Sequence, residues 1–96
     1  MDKQIAYELI DIELQAWRRL PYSELLALIG SNENKEVVGD DGCEYQLEID
    51  VRWDSKRGGD IRVIVAADYG FWRVFKPFTR AFIKRADGTF VGESLE

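Results

Sequence analysis

The sequence predicts an α+β fold: one or two N-terminal helices packed on one face of a four- to five-stranded antiparallel meander sheet. Two patterns predict it. Apolar residues recur at helical spacing to about residue 29, then at every second residue from about residue 36. Turn signals (DG at 41–42, GG at 58–59, DG at 87–88) punctuate the second half at hairpin intervals. The 96 residues, 46% apolar and 32% charged, have the length and composition of one globular domain, so 1–96 reads as a single unit.

The first helix is expected over about 3–20. Ile5, Leu9, Ile12, Ala16 and Leu20 recur at three- and four-residue steps, and Ile10, Leu14 and Trp17 widen that stripe on one flank. Acids cluster early (Asp2, Glu8, Asp11, Glu13) and Arg18 and Arg19 close it, the order the helix dipole favours. Pro21 pushes Leu20 out of helical geometry and is a good first residue for a second helix over about 21–29, with Gly30 suited to its left-handed cap. SNENKE (31–36) reads as a polar loop.

Strands are expected at about 36–40, 43–53, 60–68, 71–76, 79–85 and 89–92. The clearest is EYQLEIDVRW (44–53), in which Tyr45, Leu47, Ile49, Val51 and Trp53 alternate with Glu44, Gln46, Glu48, Asp50 and Arg52. Its apolar side should join Ile61, Val63, Val65 and Ala67 beneath the helices, with Trp53 and Trp17 facing that core. Between these strands, pairing Arg52 with Asp60 and Asp50 with Arg62 avoids the like charges that Arg52 opposite Arg62 would create. Both alignments bury the same face, because they differ by two residues. Pro77 lacks a donor and belongs at an edge or a bend.

Several chemistries find no residues here. There is no histidine, which removes His-dependent triads, zinc sites and proton shuttles. The lone Cys43 has no disulfide partner, and its neighbours Asp41 and Glu44 disfavour a thiolate. No glycine pattern leads into a helix N-terminus as a phosphate cradle would. No catalytic, cofactor or metal residues are therefore expected. Asp40, Asp41 and Glu44 are better explained by a hairpin turn than by a cation. The longest apolar runs, LLALI and VIVAA, are too short to cross a membrane, and the acidic amphipathic start is unlike a targeting peptide, so a cytoplasmic protein is expected.

Net charge is −5, unevenly spread. Residues 1–50 carry twelve acids against four bases (−8), and 51–96 carry six acids against nine bases (+3). The sign argues against generic binding to nucleic acid or membrane surfaces.

Three features invite a functional reading. Glu48 and Asp50 share one strand face at about 6–7 Å, a spacing that could serve acid/base work on a sugar or simply face water. FWRVFKPFTRAFIKR (71–85) holds five aromatics, five bases and no acid. That composition suits a single-stranded nucleic-acid groove, an acidic protein partner, or a sheet edge guarded by cations. Ile64 and Ala66 fall on the same face as Glu48 and Asp50, and a small apolar spot ringed by charge makes a contact surface.

The run EYQLEIDVRWDSKRGGDIRVIVAADYGFWRVFKPFTRAFIKRADGTFVGE resembles a group of small bacterial proteins with a YQxEIxVxWDxKxGGxIRV segment and a DGxFVGE-like tail. The likeness runs from about Tyr22 onward. It implies a free-standing domain and carries over no activity, cofactor or catalytic residue.

The expected function is a non-catalytic protein-interaction or accessory module, self-association included. Its contacts are expected at Glu48, Asp50, Arg62 and Ile64 on the outer sheet face, and at Arg73, Phe75, Lys76 and Arg80 on the basic aromatic stretch. The alternatives are a single-stranded nucleic-acid-binding module using 71–85 and a small carboxylate-based enzyme.

Overall fold

The computed structural model describes residues 3–68 and 78–92. Helices α1 (Lys3–Arg18) and α2 (Tyr22–Ala27) precede strands β1 (Asn32–Val38), β2 (Glu44–Trp53), β3 (Ile61–Asp68) and β4 (Phe78–Lys84). The strands form one open antiparallel sheet in the order β1-β2-β3-β4, and α1 packs chiefly over β3 and β4. The expected α+β meander is therefore the fold. The strand expected at 71–76 lies outside the described residues. Where a strand was expected at 89–92, Phe90 makes a single bridge to Lys84.

Alternation along β2 and β3 sorts the core. Tyr45, Leu47, Ile49, Val51, Ile61, Val63, Val65 and Ala67 are buried, and Phe82 joins them from β4. Trp53 is on the same side but only half-buried, because it sits where β2 runs into the loop at 54–60. Each buried aliphatic side chain contributes about 1.5–3 kcal/mol relative to exposure, so this layer dominates the fold's stability.

The helix presents a different stripe from the one expected to lead. Ala6, Ile10, Leu14 and Trp17 are buried, whereas Ile12 is 69% exposed and Ala16 is exposed. Two adjacent apolar stripes exist on α1: the sheet buries Ala6, Ile10, Leu14 and Trp17, while Ile5, Leu9 and Leu20 of the expected stripe pack half-buried against the same core. Trp17 is fixed further: its Nε1 donates to Glu13 Oε2 at 2.9 Å, while Glu13 Oε1 pairs with Lys35 Nζ at 3.1 Å. Glu13 thereby ties the helix to β1.

The polar stretch expected as a loop at 31–36 instead forms most of β1. Asn32–Glu36 are all exposed, so no apolar alternation could announce them. Backbone pairing to β2 makes the strand. At its end Gly39 is buried, and a Cβ there would lie 2.9 Å from both Ile5 Cγ2 and Tyr45 Cε1. Only glycine lets the chain pass that close to α1.

The β2–β3 register also corrects the expectation. Arg52 lies opposite Arg62, and Trp53 opposite Ile61. Like charges are tolerated because each arginine has its own acid. Arg62 donates through Nε (2.9 Å) and Nη2 (2.7 Å) to Asp54 Oδ1, and Arg52 Nη2 lies 3.6 Å from Asp50 Oδ2. The loop contributes too: Tyr22 Oη donates to the Gly59 carbonyl at 2.7 Å, and Asp54 N donates to Asp60 O at 2.9 Å. These contacts hold Gly59 and Asp60 out of the ladder positions that the other register needs.

Candidate functional site

The face of the sheet opposite the helices is built from alternate residues of all four strands. The register sets Asn32, Asp50, Ile64 and Ala81 in one row, and Asn34, Glu48, Ala66 and Thr79 in the next. Arg52, Arg62 and Ile83 form a third row. The face thus divides along its width. Acids and amides dominate β1 and β2, with Arg52 at one end; the middle of β3 and the facing part of β4 are small and aliphatic, flanked on β3 by Arg62 and Asp68.

The acidic half is internally bonded. Asn32 Nδ2 donates to Glu48 Oε2 at 2.8 Å and also to Asp50 Oδ1, so one amide bridges the two carboxylates. Asn34 Nδ2 donates to Asn32 Oδ1 at 3.2 Å, and Gln46 Nε2 to Glu36 Oε2 at 3.0 Å. The polar side of EYQLEIDVRW is therefore an ordered ladder rather than a set of free side chains. Glu48 is exposed and Asp50 half-buried, both on the open surface of the sheet. Among the described residues no group of three or more Asp, Glu or Cys side chains is placed to hold a metal ion.

In the apolar half Ile64, Ala66 and Ile83 are half-buried and Ala81 is exposed. Among the described residues, neither helix packs on this side. Ala81, Ile83, Asn32 and Asn34 were not singled out from the sequence. The first two were legible in the alternation of FTRAFIK once its partner was known; the asparagines were hidden in a stretch read as loop.

The expected contact residues separate. Glu48, Asp50, Arg62 and Ile64 share the outer face. Arg80 belongs to the helix side: its Nη1 donates to both oxygens of Asp11, at 2.9 and 2.8 Å, and its guanidinium lies 4.5 Å from the Tyr7 ring centre. Arg73, Phe75 and Lys76 lie outside the described residues. Two other bases of the 71–85 stretch are also engaged internally. Lys84 is buried and donates to the carbonyls of Leu20 (2.7 Å) and Arg18 (3.2 Å), while Arg85 Nη1 donates to Thr89 Oγ1 at 3.1 Å.

The acids of the β1–β2 turn serve the turn. Asp41 accepts from Tyr45 Oη at 2.8 Å and from Cys43 N at 3.1 Å. The tyrosine hydrogen bond, followed by that of the Cys43 backbone, holds the Asp41 carboxyl below its ordinary value of 3.8. Cys43 is half-buried against the core.

A scan against protein-family models, a search of curated proteins and a search of solved structures each return no match.

Proposed function

We propose that the protein is a non-catalytic interaction module whose outer sheet face takes a partner presenting basic and apolar side chains together. One observation carries this reading: Ile64, Ala66, Ala81 and Ile83 form an apolar strip beside the Asn32–Glu48–Asp50 ladder, on a face that neither helix covers among the described residues. An apolar centre with a polar margin is the usual composition of a contact surface. Glu36, Glu44, Glu48, Asp50 and Asp68 outnumber Arg52 and Arg62 on its strands, and both arginines are already paired with acids. Complementarity therefore favours a basic partner. We read its setting as a bacterial cytoplasm, a reading supported by the resemblance of the 44–93 run to small bacterial proteins.

The nucleic-acid reading draws no support from Arg80, Lys84 and Arg85, whose donors are turned to Asp11, to the carbonyls of Arg18 and Leu20, and to Thr89.

The test is a titration of isotope-labelled protein with a short peptide alternating Lys or Arg with Val or Ile, followed by NMR. Saturable shift changes centred on Glu48, Asp50, Ile64, Ala66 and Ala81, lost in Ile64→Lys, are the expected result. Absence of saturable shifts, or shifts centred on α1, would overturn the reading.

A further inference from the structure

We infer that the free edge of β1 pairs antiparallel with β1 of a second copy of this chain, about a two-fold axis at Asn34. The two four-stranded sheets then join into one of eight strands. This inference concerns the sheet edge and stands independently of the outer-face reading.

The first observation is the direction of the backbone groups. Directly opposite residues of antiparallel strands alternate between hydrogen-bonded and non-hydrogen-bonded pairs. Gly39 N donates to Cys43 O at 2.9 Å, and Val51 N donates to Ser31 O at 3.3 Å, on either side of the Glu33–Ile49, Lys35–Leu47 and Val37–Tyr45 pairs. The odd-numbered residues of β1 therefore spend their N–H and C=O groups on β2. Asn32, Asn34, Glu36 and Val38 turn theirs outward, and among the described residues no strand pairs with that edge. A row of such groups is a template for another strand.

The second observation is the charge pattern. A two-fold axis at Asn34 sets Asn34 opposite itself in a hydrogen-bonded position, as its outward groups require. Glu33 then faces Lys35 of the second copy, and Lys35 faces Glu33 of the second copy. Both pairs fall at non-hydrogen-bonded positions, where opposed side chains are closest. Asn32 faces Glu36 of the second copy, and the reverse. Neighbouring registers lose this match: an axis at Lys35 opposes two lysines, and an axis at Glu33 or Glu36 opposes two glutamates. An isologous contact needs such self-complementarity, and one register supplies it.

The third observation is room. α1 packs over β3 and β4, and Asn32–Glu36 are exposed. Lys35 already reaches Glu13 at 3.1 Å, and its ammonium has three donors, so a carboxylate from the second copy adds to that bond without replacing it. A lone edge lysine would deter pairing; a lysine two residues from a glutamate on the same face instead selects one register. A contact confined to one strand pair buries less than the roughly 1,200 Å² of stable complexes, so the dimer forms at high protein concentration only.

The experiment is sedimentation equilibrium or light scattering over a concentration series reaching about 1 mM, a range that reads weak association. Wild type is expected to dimerise reversibly. Glu33→Lys sets lysine against lysine, Lys35→Glu sets glutamate against glutamate, and each should weaken self-association about tenfold or more. An equimolar mixture of the two variants restores both opposite-charge pairs and should associate one-to-one at least as well as wild type. Thermal unfolding of each variant confirms that it is folded, and the charge-reversed double variant, Glu33→Lys with Lys35→Glu, should dimerise again. A wild type that stays monomeric throughout the series overturns the inference. So does self-association untouched by Glu33→Lys, or self-association abolished by Ile64→Lys, which would place the contact on the outer face.

Discussion

The Nζ of Lys84 lies 2.7 Å from the carbonyl oxygen of Leu20, so a buried cation from β4 closes the C-terminal end of α1. The same ammonium donates to Arg18 O at 3.2 Å and lies 5.1 Å from the centre of the Phe90 ring. Arg18 stacks on that ring as well, at 4.1 Å. The last carbonyls of a helix lack intrahelical donors and carry the negative end of its dipole, which suits a lysine there. Lys84→Met keeps the stem and removes the donors. It should cost about 1–3 kcal/mol, the penalty for stranding buried acceptors. An unchanged urea midpoint would show that water replaces the ammonium.

Gly39 offers a sharper test of the approach between α1 and the first hairpin. A Cβ there meets Asp41 Oδ1 at 2.8 Å, and both Ile5 Cγ2 and Tyr45 Cε1 at 2.9 Å. The tyrosine ring is fully buried and Asp41 is bonded to its hydroxyl, so neither yields freely. Gly39→Ala should destabilise the protein by about 1–3 kcal/mol through overpacking. Wild-type stability in chemical denaturation would mean that α1 can shift.

Trp17 and Trp53 should differ in consequence. Trp17 is 9% exposed and hydrogen-bonded to Glu13, whereas Trp53 is half-buried beside a loop. Trp17→Ala should cost about 3–5 kcal/mol, a large share of a small domain's stability, and Trp53→Ala clearly less. The reverse order in thermal unfolding would contradict the packing of α1.

Acid should act on the two turns through Asp41 and Asp87. Tyr45 holds the Asp41 carboxyl below 3.8, and the Thr89 hydroxyl and amide do the same for Asp87. A depressed folded-state value stabilises the fold in full above the unfolded value near 3.8; that contribution is lost as pH falls through the lower folded value. Tyr45→Phe should return Asp41 toward 3.8 in an NMR titration and shrink its share of the acid dependence. An Asp41 titration unmoved by Tyr45→Phe would assign the shift elsewhere.

Single-stranded DNA or RNA should show no measurable binding at 0.15 M salt, where the screening length is about 8 Å and the acids of α1 still act. Arg80 is bound to one of them, Asp11. Micromolar binding in fluorescence polarisation, abolished by Arg73→Ala with Lys76→Ala, would promote the nucleic-acid reading instead.

The alternation of EYQLEIDVRW was enough to assign Tyr45, Leu47, Ile49 and Val51 to the core, because a strand's side chains alternate whatever its partner. DIRVIVAAD placed Ile61, Val63, Val65 and Ala67 in the same way, and the shift in apolar period separated helices from sheet. These are local properties, and the sequence by itself determined them. What it left open depended on distant partners. Registers differing by two residues bury the same face, so the choice between Asp60 and Arg62 opposite Arg52 passed to Asp54 and to the Tyr22–Gly59 bond. Two apolar stripes run along α1, and only the sheet selects Ala6–Ile10–Leu14–Trp17 over the one containing Ile12. β1 has no apolar period, since backbone pairing alone makes it a strand. Lys84 reads as one more surface cation until the end of α1 and the turn after it, more than sixty residues earlier, bring the Arg18 and Leu20 carbonyls to it. The outer face shows the same division: Glu48, Asp50 and Ile64 could be placed together by parity along single strands. Asn32, Ala81 and Ile83 joined them only through strand order and register, which are set by contacts between segments far apart in the chain.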